Sequence, residues 1–99
     1  MLLRMDIRSV RHKGLRRWLT HGDLAGLPPA QVAKITAMVS FLSAARGIEA
    51  VQRLVVWRAH RLTGDRRGTW SLVVSRNWRL TFRLNEAGEI VDLDLEDYH

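Results

Sequence analysis

Cysteine is absent from the 99 residues, so neither a disulfide framework nor a thiolate metal site can be built, and a reducing compartment is permitted. Lysine is nearly absent: of sixteen Lys and Arg only Lys13 and Lys34 are lysines, set against ten Asp and Glu for a formal net charge of +6. No apolar run approaches the ~20 residues that a membrane-spanning helix needs, and Met1-Leu2-Leu3-Arg4-Met5-Asp6 meets charge too early for a signal peptide. There is no Gly-rich phosphate loop and no His or carboxylate cluster at metal-ligand spacing, so no cofactor and no metal are expected. These absences point to a soluble, cytoplasmic protein without membrane contact. With no low-complexity stretch, residues 1–99 are expected to form one domain.

What is present is arginine. Its planar fork holds phosphate oxygens bidentately and stacks on bases, which lysine cannot reproduce. A polyanionic partner follows naturally, although a basic surface kept soluble by charge, or an acidic protein that masks it, would satisfy the same composition.

The hydrophobic pattern gives an α+β order. Leu3, Met5 and Ile7 alternate with Arg4, Asp6 and Arg8, which predicts a strand over residues 2–9. From His12 to Thr20 the period changes, with Leu15, Trp18 and Leu19 on one face and Gly22 placed for a helix end. Pro28-Pro29 opens a second helix, whose Val32, Ile35, Val39 and Leu42 form a core stripe widened by Met38 and Phe41, with Gly47 as its expected stop. A weak helical turn is expected over residues 49–54. The texture then turns to β: Leu54 to Trp57 carries apolar bulk, Arg58 to Leu62 alternates less cleanly, and residues 63–68 form a turn. Trp70, Leu72 and Val74 share one strand face, opposite Ser71 and Val73. Trp78, Leu80, Phe82 and Leu84 do the same opposite Arg79, Thr81 and Arg83. After a hairpin loop over residues 85–88, Val91, Leu93 and Leu95 return with Asp92, Asp94 and Glu96 facing outward. Short connections make these strands antiparallel neighbours, and the two N-terminal helices must pack on one face of the small sheet.

Three segments then converge on the same region: the arginine-rich span with Arg58, Arg61, Arg66, Arg67 and His60; the corner with Arg76 and Arg79; and the final Asp97-Tyr98-His99. The first reads as a phosphate-tracking surface, or equally as an edge strand protected by charge. Cleaving RNA without a metal needs a base for the 2′-hydroxyl, an acid for the departing 5′-oxygen, and fixed positive charge for the transition state. Histidine suits the first two tasks and arginine the third. Arg79 could alternatively pair with Asp92 or Asp94 across the sheet. If the last strand alternates to its end, Tyr98 shares the side of Arg79 while Asp97 and His99 point away, so the tail is expected to twist or leave the sheet near Asp97.

Four strings, His12-Lys13-Gly14-Leu15, Gly64-Asp65-Arg66-Arg67-Gly68-Thr69-Trp70-Ser71, Asn77-Trp78-Arg79-Leu80-Thr81-Phe82 and Glu96-Asp97-Tyr98-His99, resemble the HigB-type branch of the RelE/ParE toxin superfamily. The resemblance implies a RelE-like fold, two helices on a mainly antiparallel sheet, and ribosome-dependent cleavage of mRNA that inhibits translation. It also implies a helix-turn-helix, HigA-like antitoxin, with operator DNA bound only through that antitoxin. By the same resemblance His60, Arg79, Asp97, Tyr98 and His99 are the catalytic set: His99 as acid or base, Arg79 as transition-state cation, Tyr98 stacking or orienting, and Asp97 positioning its neighbours. Arg58, Arg61, Arg66, Arg67 and Arg76 are the RNA-binding candidates. Around His60 the chain has Arg61 and Thr63 where the family often has Pro and Lys, so Arg61 or Arg66 must supply the missing charge. The alternatives are a ParE-like gyrase inhibitor and a catalytically weakened toxin homologue that only binds RNA or the ribosome.

Overall fold

A computed structural model of the chain describes residues 4–97. His12 starts the first helix: its Nδ1 accepts the backbone N–H of Leu15 at 3.2 Å, satisfying one of the donors a helix N-terminus leaves open. Helix α1, Lys13–His21, ends at Gly22, whose φ of 71° is the left-handed conformation that glycine adopts without a Cβ clash. Pro29 lies in a short 3-10 turn, and helix α2 follows over Val32–Ala44, burying Ile35, Met38, Val39 and Leu42 at helical spacing. It stops at Ala45, before the expected Gly47, because Ala45 turns extended and its carbonyl accepts the N–H of Met5 at 3.0 Å. The weak turn is a real helix, α3, Ile48–Gln52.

The sheet has four strands in the order β1 (His60–Arg61), β2 (Thr69–Val73), β3 (Trp78–Leu84) and β4 (Ile90–Asp97), each antiparallel to its neighbour. The helices cover one face. Leu15, Ile35, Met38, Val39, Leu42 and Val51 meet Trp70, Leu72, Val74, Leu80, Phe82, Ile90, Leu93 and Leu95 in one buried cluster. Each such aliphatic or aromatic side chain contributes roughly 1.5–3 kcal/mol on burial, so the packed face is what orients the strands.

Three expectations are corrected. Residues 7–10 do not form a regular strand. They run parallel to β4 and meet it at two isolated bridges, Ile7 to Ile90 and Val10 to Leu93, and through the Asp92 N–H, which donates to Ser9 Oγ at 2.8 Å; the expected start at residue 2 lies outside the described residues. Leu54 to Trp57 is not β: Val55–Trp57 is a 3-10 turn with Val55 and Val56 almost fully exposed, because Trp57 turns back to meet Phe41 edge-on at 5.3 Å. In β4 the core residue is Ile90 rather than Val91. The ladder shifts register between Thr81 and Arg83, and Asp92 takes a φ of 56°, so one extra residue on β4 swaps faces below Leu93.

Candidate active site

The open face of the sheet carries Thr69, Ser71 and Val73 of β2, Arg79, Thr81 and Arg83 of β3, and Asp94 and Glu96 of β4, as the pairings Ser71 with Thr81, Val73 with Arg79, and Arg79 with Glu96 require. Because the helices lie on the other side, these polar side chains reach solvent or one another. At the β1 end of this face a cleft of about 340 Å³ is lined by Arg58, His60, Leu62, Ser71, Val73 and Arg79. Two cations and an imidazole, Arg58 and His60 from one segment and Arg79 from β3, thus share one concavity.

Local geometry sets each of them. Arg58 follows the 3-10 turn with φ 49° and ψ 47°, a left-handed conformation that is uncommon outside glycine. Its carbonyl lies 2.8 Å from Nδ1 of His60. A carbonyl only accepts, so Nδ1 is the nitrogen that donates in this contact, and in the neutral ring that tautomer leaves Nε2 as the basic nitrogen. Pairing of His60 with Ser71 puts it on the open face, while the next residue, Arg61, pairs with Trp70 and goes to the other side. There its guanidinium covers the Trp70 ring at 5.4 Å.

Arg79 does not cross the sheet to Asp92 or Asp94. Its Nη1 donates to the carbonyls of Ser75 at 2.6 Å, Trp78 at 3.1 Å and Arg76 at 3.2 Å, bracing the β2–β3 turn. Its register partner is Glu96, whose carboxylate is taken by Arg66 in a two-pronged fork, with Nη1 to Oε1 at 2.9 Å, and by the hydroxyl of Thr81 at 2.6 Å. Hydrogen bonding from Arg66, reinforced by Thr81 and the nearby Arg11, holds Glu96 below the usual carboxylate range against the opposing effect of burial. The same bond raises the pKa of Arg66. Together with Arg11, Asp65, Thr69, Arg83, Asp92 and Asp94 these residues line a second, more polar hollow of about 200 Å³.

The sequence candidates therefore separate. Arg58, His60 and Arg79 come together. Arg61 is on the far side of the β1–β2 edge, Arg66 is engaged with Glu96, and Arg67 and Arg76 are exposed on turns. β4 stays in the sheet through Asp97, which pairs with Trp78, so the tail does not leave the sheet before that residue. Tyr98 and His99 lie outside the described residues. Sequence reading missed Ser71, buried at the cleft floor, and the anchoring role of Glu96 and Thr81; alternation had placed all three on the open face, but only the register shows which neighbours they meet. His12 is half-buried and caps α1. Among the described residues no group of His, Asp and Glu could hold a metal ion, and no helix is long and apolar enough to cross a membrane.

A sequence model for the RelE-like toxin of the type II toxin-antitoxin system HigB matches residues 8–99. The chain belongs to the HigB-like toxin family. One HigB relative, "Endoribonuclease HigB" of Proteus vulgaris, is 37% identical over 93 residues, spanning 94% of this chain and 99% of the relative. Solved structures agree on the fold. YafQ from E. coli strain BL21(DE3) superposes with a TM-score of 0.59 at 15% identity, covering 95% of this chain and 93% of the other. The RelBE2 toxin-antitoxin complex of Mycobacterium tuberculosis gives 0.52 at 24% identity, covering 96% and 99%. The HigB-like sheet and its covering helices are thus the RelE/YafQ toxin fold.

Proposed function

We propose that this HigB-like toxin is an endoribonuclease that cuts mRNA on the ribosome by metal-independent acid–base chemistry, and so inhibits translation. The observation that supports it best is the cleft that gathers His60, Arg58 and Arg79 on the open face of the sheet. With Nδ1 held by the Arg58 carbonyl, Nε2 of His60 is set to take the proton of a 2′-hydroxyl. The 2′-oxygen then attacks the adjacent phosphorus, the bond to the 5′-oxygen breaks, and that oxygen collects a proton from an acid. Arg58 and Arg79 supply charge that stays fixed while negative charge builds on the phosphoryl oxygens.

His99 is the second acid–base group in this scheme, with Tyr98 stacking on or orienting a base and Asp97 positioning its neighbours. Either histidine can be the base, and the other is then the acid. Arg67 and Arg76, exposed on turns flanking the face, track the RNA backbone. Arg61, backed by Trp70, contributes charge at the edge where the missing family lysine would act. So few catalytic groups make a slow nuclease on free RNA, and the ribosome completes the geometry. The natural partner is a helix-turn-helix, HigA-like antitoxin encoded beside the toxin, through which alone the pair would reach operator DNA, all within the cytoplasm and as one domain over residues 1–99.

His60→Asn tests the cleft. Asparagine can still donate to the Arg58 carbonyl but has no basic nitrogen, so cleavage on mRNA-programmed ribosomes should fall by a factor of about 10²–10⁴ while the fold persists. Unchanged cleavage by this variant would remove His60 from the chemistry.

A further inference from the structure

Arg66 is the one RNA-binding candidate whose guanidinium is bound by a carboxylate in a fork, and that carboxylate joins three parts of the molecule. Arg66 ends the 3-10 turn Gly64–Arg66. Thr81 is in the middle of β3 and only 3% exposed. Glu96 belongs to β4, one residue before Asp97. Both Glu96 oxygens are used, Oε1 by Arg66 and Oε2 by Arg66 and Thr81.

The segment that Arg66 terminates needs such an anchor. His60 sits on a strand of two residues, held to β2 by the pairs His60 with Ser71 and Arg61 with Trp70, and then by the Leu62 N–H to the Thr69 carbonyl at 2.8 Å. Two-residue ladders are weak alone. Beyond Leu62 the chain runs out over the open face and returns at Thr69, and the fork is what ties this excursion down to β4. Thr81 fixes the carboxylate from below, so the tie is to the rigid middle of the sheet and not to another loop. The same carboxylate is the last one on β4 before the residues assigned to catalysis. One ion pair therefore links the wall bearing His60 to the strand end bearing Asp97.

We infer that Arg66 and Glu96 are positioning residues, a clamp that sets the His60 segment and the end of β4 at a fixed separation, and that Arg66 does not grip RNA. This rests on the endoribonuclease reading for its consequence in catalysis, but the clamp itself is a property of the folded chain. The two roles of Arg66 differ in sign at its partner. If Arg66 bound phosphate, neutralising Glu96 would release it and tighten RNA binding. If Arg66 is half of a clamp, the same change loosens the site.

The experiment pairs Glu96→Gln, Arg66→Ala and the double variant, with full-length protein on mRNA-programmed ribosomes and with amide hydrogen exchange at Leu62. A clamp gives a drop in kcat on the order of 10-fold to 100-fold for each single variant, little change in KM, and no further loss in the double variant, since both changes break one link. Exchange at Leu62 should quicken roughly fivefold in each, in keeping with the loss of one partly exposed ion pair. A lower KM in Glu96→Gln with a raised KM in Arg66→Ala would overturn the clamp in favour of RNA binding, and unchanged Leu62 exchange in both would overturn it outright. Exchange is read without RNA, so quickened exchange in a protein that cuts nothing would keep the clamp and reject the nuclease reading.

Discussion

Arg79 and Glu96 face each other across the β3–β4 ladder, yet their charged ends go opposite ways, Arg79 to the carbonyls of Ser75, Arg76 and Trp78, and Glu96 to Arg66 and Thr81. The obvious cross-strand ion pair is thereby replaced by two separate networks, one bracing the β2–β3 turn at the cleft and the other tying down the loop beyond β1.

Arg79 thus has a structural and a proposed catalytic task, and lysine separates them. Arg79→Lys keeps a cation in the cleft but replaces the planar fork with a point charge. We expect Arg79→Ala to lower kcat by on the order of 10²–10³ and Arg79→Lys to recover only part of that. Urea melts of both variants report the loss of the turn's bracing as a stability decrease of about 1–2 kcal/mol. Full activity in Arg79→Ala would dismiss the transition-state role.

The cap on α1 makes stability depend on pH in the mildly acid range. Burial pushes the His12 imidazole below its ordinary value, with Asp94 acting weakly in the other direction, and its Nδ1 must be unprotonated to accept the Leu15 N–H. At pH above the ordinary histidine value of about 6.5 the ring is neutral in folded and unfolded chains and the contribution is complete. As pH falls below that value the unfolded chain takes up the proton first, stability declines, and the loss is complete once pH is below the folded pKa. Glu96, held low, keeps its full contribution until pH falls into the usual carboxylate range and loses it as pH drops from there through its lowered folded pKa, so the two effects separate. Urea unfolding from pH 7.5 to pH 5 should show the decline in the wild type and a flatter profile in His12→Asn, which caps without titrating. His12→Ala should cost about 1 kcal/mol at neutral pH.

Gly14 follows this cap and is buried against another glycine. A Cβ at Gly14 would stand 2.1 Å from the Gly26 carbonyl oxygen and 2.5 Å from its carbon, both backbone atoms with no rotamer to yield. Gly14→Ala should therefore destabilise by about 1–3 kcal/mol, despite the better helix propensity of alanine, and lower Tm accordingly. A neutral or raised Tm would mean that the α1 and Gly26 backbones are not in this contact.

Much of the architecture was legible because it rests on local period. The stripe of Ile35, Met38, Val39 and Leu42, the alternation of Trp70 and Leu72, and that of Leu80 and Phe82 declare their faces without reference to the rest of the chain. What was hidden depends on contacts far apart in sequence. Residues 7–10 pair with β4 across some eighty positions, and only two bridges result. The bulge that buries Ile90 in place of Val91 leaves the apparent alternation of Val91, Leu93 and Leu95 intact. The valines at 55 and 56 favour β intrinsically, but the chain must reverse there between α3 and β1, and the Trp57 contact with Phe41 fixes the turn.

The candidate site divides in the same manner. Composition and motif named His60, Arg58 and Arg79, and the structure brings them to one cleft. Motif could not assign a side to Arg61, which is decided by a two-residue register, or reveal that Arg66 is spoken for by a glutamate thirty residues away.

The most direct measurement is to express the toxin without its antitoxin and map mRNA 5′ ends across the transcriptome, alongside supercoiling by DNA gyrase in the same cells. We expect new 5′ ends inside translated reading frames, absent from untranslated RNA and lost in His60→Asn, with supercoiling unaffected. Growth arrest without such ends, or with gyrase inhibited in their place, would contradict a ribosome-dependent endoribonuclease built on the His60, Arg58 and Arg79 cleft.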